Sequence, residues 1–233
     1  MSAPIGRNSS ALHAWSQLPD IGVVPEFQPQ DAQFFDAIGS ILAQAGQTER
    51  FAVTLLHSHF EVQASEFLVE ARAPTGEVIT SVRTADEVVG IALRAKSWMF
   101  NPSPPKSRLE EISVLTWVDQ ESLLQPPLQE SDQFLLHNLA KAFRRHGDAV
   151  HRYGMALTWD KPQPGSVWME GASPDDRLLV QSQIPAEELR DATRTWWVFD
   201  DKGRHTITLG CCRQLTSNRG HSGLRHSQGI EGL

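Results

Sequence analysis

The chain has 233 residues, of which 40% are hydrophobic and 21% charged, so its length accommodates one large domain or two small ones. The formal net charge of −7 argues against sequence-independent nucleic-acid binding, which needs clustered Lys and Arg. No apolar run approaches the roughly 18 residues of a membrane span, and the N-terminus lacks the apolar core of a secretion signal. The two cysteines are adjacent and offer no disulfide framework, so we expect a soluble, cytoplasmic protein.

The first half of the chain predicts an arm, a helix and several strands. Residues 1–30 are polar and rich in proline, which is typical of an extended N-terminal arm. The apolar residues of 31–45 recur with a 3.6-residue period, which predicts a helix capped by Asp31 and ended by Gly46. Residues 84–96 favour a second helix that starts at Thr84. Strands are predicted over 51–59, 66–73, 77–83, 98–100 and 110–118.

The second half repeats this order after a linker at 119–130, which contains Pro126 and Pro127. Its helix is predicted over 132–146. A C-terminal tail is predicted at 213–233. Strands are predicted near 153–159, 165–170, 177–183, 194–199 and 205–212.

Several residues also agree between the halves. The segment Arg50-Phe-Ala-Val-Thr-Leu-Leu56 lines up with Arg152-Tyr-Gly-Met-Ala-Leu-Thr158, and Glu70 lines up with Glu170. The sequence therefore predicts an α+β protein of two tandem pseudo-symmetric modules, 31–118 and 131–212. Each module is one helix followed by four or five mostly antiparallel strands, with the helix covering one face of the sheet. The alternative is chance likeness between two helix-and-strand segments.

The most distinctive difference between the halves is the pair His57 and His59, which Trp159 and Lys161 replace in the second half. Residues two apart in a strand face the same side, so both imidazoles could bind one metal ion. Glu66, or Glu61, supplies a carboxylate. Two histidines and one carboxylate are a recurring ligand set for zinc and non-haem iron. The alternative is two partly exposed rings bonded to neighbouring carbonyl or carboxylate groups.

A second set of candidate ligands lies near the C-terminus. Cys212 is followed by His221 and His226, and thiolate and imidazole both suit zinc. A zinc finger needs a second cysteine about two to four residues from the first, whereas the adjacent Cys211 faces the opposite side of a strand. Cys212 and His221 are therefore candidate ligands from the second half. The alternatives are small core cysteines and a disordered tail.

The string Leu55-Leu-His-Ser-His-Phe60, followed by Glu66 and Glu70, resembles a motif of an uncharacterised, mainly fungal protein family. The resemblance covers about twenty residues of the chain. It implies no known activity and assigns no role to either histidine.

Two functions fit these patterns. The first is binding of a metal ion, zinc or iron, or of a small ligand through His57 and His59, with no reaction selected by the sequence. The second is a non-catalytic protein-interaction or assembly module with no metal. It rests on the absence of a phosphate loop or nucleophile motif and on seven Trp and ten Phe residues that could line an interface.

Overall fold

The computed structural model describes residues 18–89, 93–101, 108–111, 114–117, 132–158, 162–188 and 192–213. These residues form an α+β fold with two α-helices, α1 (Ala32–Gln44) and α2 (Gln133–Arg145). Neither described helix is long and apolar enough to cross a membrane. The strands are β1 (Phe51–Leu55), β2 (Glu66–Arg72), β3 (Val78–Thr84), β4 (Leu93–Ala95), β5 (Ser97–Asn101), β6 (Arg108–Glu111), β7 (Val114–Trp117), β8 (Tyr153–Leu157), β9 (Ser166–Ser173), β10 (Leu178–Pro185), β11 (Thr193–Phe199) and β12 (His205–Arg213).

The strands form one hydrogen-bonded sheet that mixes both halves of the chain. Its order is β4-β7-β2-β3-β10-β9-β12-β11-β1-β8-β5-β6. Neighbours are antiparallel except for β2 with β7 and β9 with β12, which are parallel. Lys96 alone separates β4, at one end of this order, from β5, next to the other end. The chain therefore joins the two ends of the sheet directly, and the sheet curves around an interior.

The helices cover one face of β1, β5, β8 and β11. The alternating side chains of these strands pack with both helices in the largest cluster of buried hydrophobic residues. Phe34 of α1, for example, stacks on Tyr153 of β8 and meets Phe143 of α2 edge to face. Gly39 of α1 contacts the β11–β12 turn so closely that a Cβ would lie 1.8 Å from the carbonyl oxygen of Gly203. The helices thus fix these four strands from outside.

The opposite face of the same strands lines the interior. Trp196 of β11 packs there with Val78 of β3 and Trp168 of β9. Leu56, which directly follows β1, packs with Leu68 of β2 in the same way. Side chains from the helix-covered strands therefore meet those of β2, β3 and β9 across the interior, which is where the polar residues described below are found.

Two predicted elements differ from the structure. The helix predicted over 84–96 was wrong, because the described residues of this segment form a 3₁₀ turn, Asp86–Val88, and the strand β4. The Glu87 carboxylate accepts hydrogen bonds from the Thr84 backbone and hydroxyl, as in a helix cap, but Val89 then turns to extended geometry. Pairing of β4 with β7 holds Leu93–Ala95 in extended geometry. The predicted strand 110–118 is likewise two strands, β6 and β7.

The last part of the predicted N-terminal arm packs on the core. Ile21 and Val24 are buried, and Asp20 forms a parallel bridge with Ser58. Asp31 precedes α1 but makes no capping hydrogen bond to the helix, since its carboxylate binds Arg152 and the Tyr153 hydroxyl. Residues 1–17, the whole linker at 119–130 and all of the tail after Arg213 lie outside the described residues.

Candidate metal centre

The first half of the chain supplies two imidazoles directly after β1. The predicted strand 51–59 ends at Leu55, and Ser58 forms an isolated parallel bridge with Asp20 of the N-terminal segment. The Ser58 amide donates to the Pro19 carbonyl, and its hydroxyl donates to the Leu18 carbonyl. The rings of His57 and His59 lie together, with centroids 4.9 Å apart and edge to face.

The second half supplies a carboxylate to the same place. Glu170 lies on β9, two residues after the buried Trp168 and therefore on the same interior face. Its Oε1 atom is 3.1 Å from Nε2 of His59 and 3.5 Å from Nε2 of His57. One ligand atom from each of the three residues lies within 4.8 Å of the other two, and the three side chains are between 4% and 14% exposed. This is a buried, convergent set of ligand types.

Two of the three spacings between these atoms are close to those of metal coordination. In a tetrahedral zinc site with bonds of about 2.0–2.1 Å, neighbouring ligand atoms are roughly 3.3 Å apart. The two nitrogen-to-oxygen distances, 3.1 and 3.5 Å, lie on either side of that value.

The hydrogen bond of His57 to a backbone carbonyl defines which ring nitrogen can bind a metal ion. Its Nδ1 atom lies 2.8 Å from the Leu55 carbonyl, which can only accept a hydrogen bond, so Nδ1 carries a proton. In the neutral ring, Nε2 then presents a lone pair toward Oε1 of Glu170, and the two acceptors repel each other. A positive charge between them, either a second ring proton or a metal ion, is needed to make the contact favourable. A metal-binding histidine commonly donates its other ring N–H to a backbone carbonyl, which fixes the orientation of the ring.

The surroundings keep Glu170 ionised and oriented. Burial raises the pKa of this carboxyl, but hydrogen bonds and charge from His57 and His59 outweigh burial and hold its pKa well below the usual range. The side-chain amide of Gln181 on the adjacent β10 donates to Oε2 at 2.6 Å. Oε2 is thereby engaged while Oε1 faces the imidazoles, which is the ionised, monodentate form that a metal would bind.

A second carboxylate in the interior has a different partner. Glu70 on β2 is 5% exposed, and both of its oxygens accept hydrogen bonds from Nζ of Lys96, at 2.9 and 3.0 Å. Nζ also lies 5.1 Å from the ring centroid of Trp196. Burial raises the pKa of Glu70 to about 7 and lowers that of Lys96 to about 8, against their mutual attraction. The charge of Glu170 acts on both groups, so the two sites belong to one polar interior.

The other predicted ligands lie in different surroundings. The Glu66 carboxylate pairs with Arg177, and Arg177 also donates to the Glu61 carbonyl. Cys212 is the strand neighbour of Glu170 in the parallel β9–β12 pair. His221 lies outside the described residues. Of the residues singled out from the sequence, the structure thus brings His57 and His59 together and places Cys212 in register beside their partner.

Glu170, Gln181 and Lys96 were not singled out from the sequence as functional residues. The sequence does contain a signal for Glu170. It lies two residues after Trp168, so in a strand its charge is on the same face as a large apolar residue, which predicts a buried carboxylate. Its meeting with His57 could not be predicted, since the contact joins residues more than one hundred positions apart through the order of the strands.

Comparison of the chain with family models, with curated proteins and with solved structures finds no match.

Proposed function

We propose that this protein binds one transition-metal ion through Nε2 of His57, Nε2 of His59 and Oε1 of Glu170. The observation that carries the proposal is the convergence of two imidazoles on a single buried carboxylate oxygen. The His57 tautomer adds support, because its bond to the Leu55 carbonyl leaves Nε2 as a lone-pair donor. An ion at this position would remove the repulsion between the His57 and Glu170 acceptors.

The ligand types favour zinc or ferrous iron. Imidazole nitrogen suits zinc and iron, whereas magnesium and calcium prefer sites made of oxygen atoms. Three protein ligands leave one or more coordination positions for water, a small ligand or a further side chain. Bound at such a position, water would be acidified by the ion, which is the chemistry that this type of centre supplies. No particular reaction is part of the proposal.

The test is metal analysis of the full chain, purified without chelators or an affinity tag that binds metals. We expect about one zinc or iron per chain, and we expect the ion to be lost from His57→Ala/His59→Ala and from Glu170→Gln. The double variant His137→Ala/His151→Ala is the matched control, because it removes two exposed imidazoles elsewhere. A metal-free protein that also fails to take up added zinc would overturn the proposal, and so would equal loss in the control.

We also propose that the two halves are duplicated modules, 31–118 and 131–212. Support comes from a reciprocal pair of salt bridges between the halves. Arg50 before β1 binds both carboxylate oxygens of Asp132 at the start of α2, at 2.8 Å. Arg152 before β8 binds Asp31 at the start of α1, also at 2.8 Å. Such exchange of equivalent contacts is expected where two similar units pack around a twofold axis.

The strand order supports the same proposal. The run β4-β7-β2-β3 in the first half has the counterpart β11-β12-β9-β10 in the second, and the two runs meet at β3 and β10. Each run contains one parallel pair at the corresponding position, β2 with β7 and β9 with β12. Double-mutant cycles on the two Arg–Asp pairs test the equivalence, and we expect coupling energies of about 1–3 kcal/mol in both. Coupling at one pair alone would contradict it.

An interaction module without a metal is the second candidate. The observation that favours it is Phe134 on α2, a large apolar side chain that is 75% exposed. For an interaction module, we expect the metal analysis to give no bound ion. We also expect Phe134→Ala to weaken self-association or partner binding measured by sedimentation. The resemblance of Leu55–Phe60 to the mainly fungal family remains a prediction beside both candidates.

A further inference from the structure

The two helices agree at their buried positions. Asp31 and Asp132, the aspartates of the reciprocal salt bridges, directly precede α1 and α2 and so align the two helices. In this alignment the buried apolar residues coincide, as in the pairs Phe34 with Leu135, Ile38 with Leu139 and Leu42 with Phe143. All six side chains belong to the same hydrophobic cluster. The demands of the core are therefore alike for α1 and α2.

The exposed side of α2 carries an aromatic ring and a row of basic residues. Their spacing of three or four positions along the helix places them on one face, about 16 Å long. This outer stripe consists of Phe134, His137, Lys141, Arg144 and Arg145, all of them exposed. The Phe134 side chain is 75% exposed. The helix contains no acidic residue, and in the described part of the chain its Lys and Arg side chains form no ion pair.

The same positions of α1 are neutral or acidic. They hold Gln33, Asp36, Ser40, Ala43 and Gln44, without an aromatic or basic residue. A solvated helix in this part of the fold therefore needs neither an exposed phenylalanine nor a row of cations. Cations near a helix C-terminus interact favourably with the helix dipole, but this effect is limited to the last turn. It accounts for Arg144 and Arg145 and leaves Phe134 and Lys141 without a structural reason.

We infer that the outer stripe binds an acidic segment of a partner protein, with an apolar residue of that segment packed on Phe134. Charge complementarity supports this partner, because the cations lie on a helix without acids and beside an exposed ring, and an aromatic anchor with Arg is typical of protein interfaces. A membrane surface fits less well, because the other apolar residues of α2 are directed into the core. Nucleic acid also fits less well, because the few cations neutralise few phosphates. The inference goes beyond the metal centre and names the partner chemistry of the interaction role that Phe134 suggests.

The test selects random peptides, displayed on phage, on the immobilised full chain and then measures the affinity of the enriched peptides by fluorescence polarisation. We expect peptides rich in Asp and Glu around one apolar residue. The exchange variant gives α2 the outer residues of α1 and is Phe134→Gln/Lys141→Ser/Arg144→Ala/Arg145→Gln. We expect it to fold, because α1 carries these residues, and to bind the peptides at least about tenfold more weakly. Added salt should weaken binding to the unaltered chain, because exposed charges are screened.

The matched control removes three exposed cations elsewhere, on or near β11 and β12. It is Arg194→Gln/Lys202→Ser/Arg204→Gln, and its peptide affinity should stay within about twofold of the unaltered chain. A second measurement needs no variant. In the ¹⁵N-labelled unaltered chain, the enriched peptides should shift the amide resonances of α2 and leave those of α1 in place.

The outcomes separate this inference from the proposed function. Enrichment of peptides without acidic residues, equal affinity for the exchange variant, or amide shifts outside α2 would overturn the inference. Binding of phosphatidylserine vesicles or duplex DNA that the exchange variant loses, without enrichment of acidic peptides, would also overturn it. The exchange variant keeps His57, His59 and Glu170, so its metal content should equal that of the unaltered chain. A metal-free chain whose peptide binding is lost in the exchange variant would support this inference and overturn the metal proposal alone.

Discussion

Glu70 and Glu170 align between the two halves, and both are placed in the interior, yet each half neutralises its carboxylate differently. Glu70 is held by the ammonium group of Lys96, a cation that the chain itself provides. Glu170 meets two imidazoles and the amide of Gln181. A buried carboxylate is costly unless a positive charge accompanies it. The comparison teaches that the first half pairs its carboxylate with an ammonium group, while the second half places its carboxylate against two imidazoles.

The largest expected effect is on the first of these carboxylates. Changing Lys96→Met leaves Glu70 buried without its partner, and we expect the free energy of unfolding at pH 7 to fall by about 3–5 kcal/mol in urea denaturation. The control is Glu70→Leu/Lys96→Met, which removes both charges and should recover most of that loss. A loss below ~1 kcal/mol in Lys96→Met would contradict the claim that the ammonium group is the required cation.

The pH dependence of stability tests the same pair. The pKa of Glu70 is raised to about 7 in the fold, so the folded state binds the extra proton and stability falls as the pH rises from 4.5 to about 7. The pKa of Lys96 is lowered to about 8, so stability rises between pH 8 and 10.5, where only the unfolded chain holds the proton. The difference in unfolding free energy between the unaltered chain and Glu70→Leu/Lys96→Met should follow both trends. A difference in unfolding free energy that does not change with pH would refute the two shifted pKa values.

A smaller effect is expected at Gln181, which orients the second carboxylate. Gln181→Leu removes the amide that binds Oε2 of Glu170, and we expect zinc affinity in competition titrations to fall about 10–100-fold with the fold retained. Gln183→Leu is the matched control, because Gln183 lies on the same face of β10 but is exposed and accepts from the Gln163 amide. Equal losses in the two variants would show that the amide has no specific role at the centre.

The smallest effect is expected at Glu66, whose carboxylate is already held by Arg177. This contact lowers the pKa of Glu66, so its contribution to stability is present above pH 4.5 and is lost as the pH falls through the lowered value. The pair is partly exposed, and Glu66→Gln should cost only about 0.2–1 kcal/mol in unfolding free energy. Zinc affinity should stay within about twofold of the unaltered chain. A large drop in zinc affinity would make Glu66 a ligand after all.

The local pattern of the sequence predicted most of the elements, because alternation and helical periodicity reflect burial on one face. The helix over 132–146 and the strand near 153–159 are found as α2 and β8, shifted by one or two residues at their ends. The segment 84–96 failed because its polar first turn looks like a helix start, while sheet pairing with β7 decides its structure.

The sequence predicted the two histidines of the candidate site but not their carboxylate partner, because only local patterns can be read from the sequence. The spacing of His57 and His59 is local, so the closeness of the two rings could be expected from the sequence. Their partner is not local, since Glu170 reaches them only because β11 and β12 place β9 on that side of the interior. The role of Lys96 could not be predicted either, because its burial depends on the one-residue connection from β4 to β5 that joins the ends of the sheet.

The most direct test of the metal centre is anomalous X-ray diffraction from crystals of the full chain grown with zinc. The account predicts one strong anomalous peak about 2.0–2.2 Å from Nε2 of His57, Nε2 of His59 and Oε1 of Glu170. Anomalous peaks found only elsewhere on the protein, with the two imidazoles still gathered around Glu170, would contradict it.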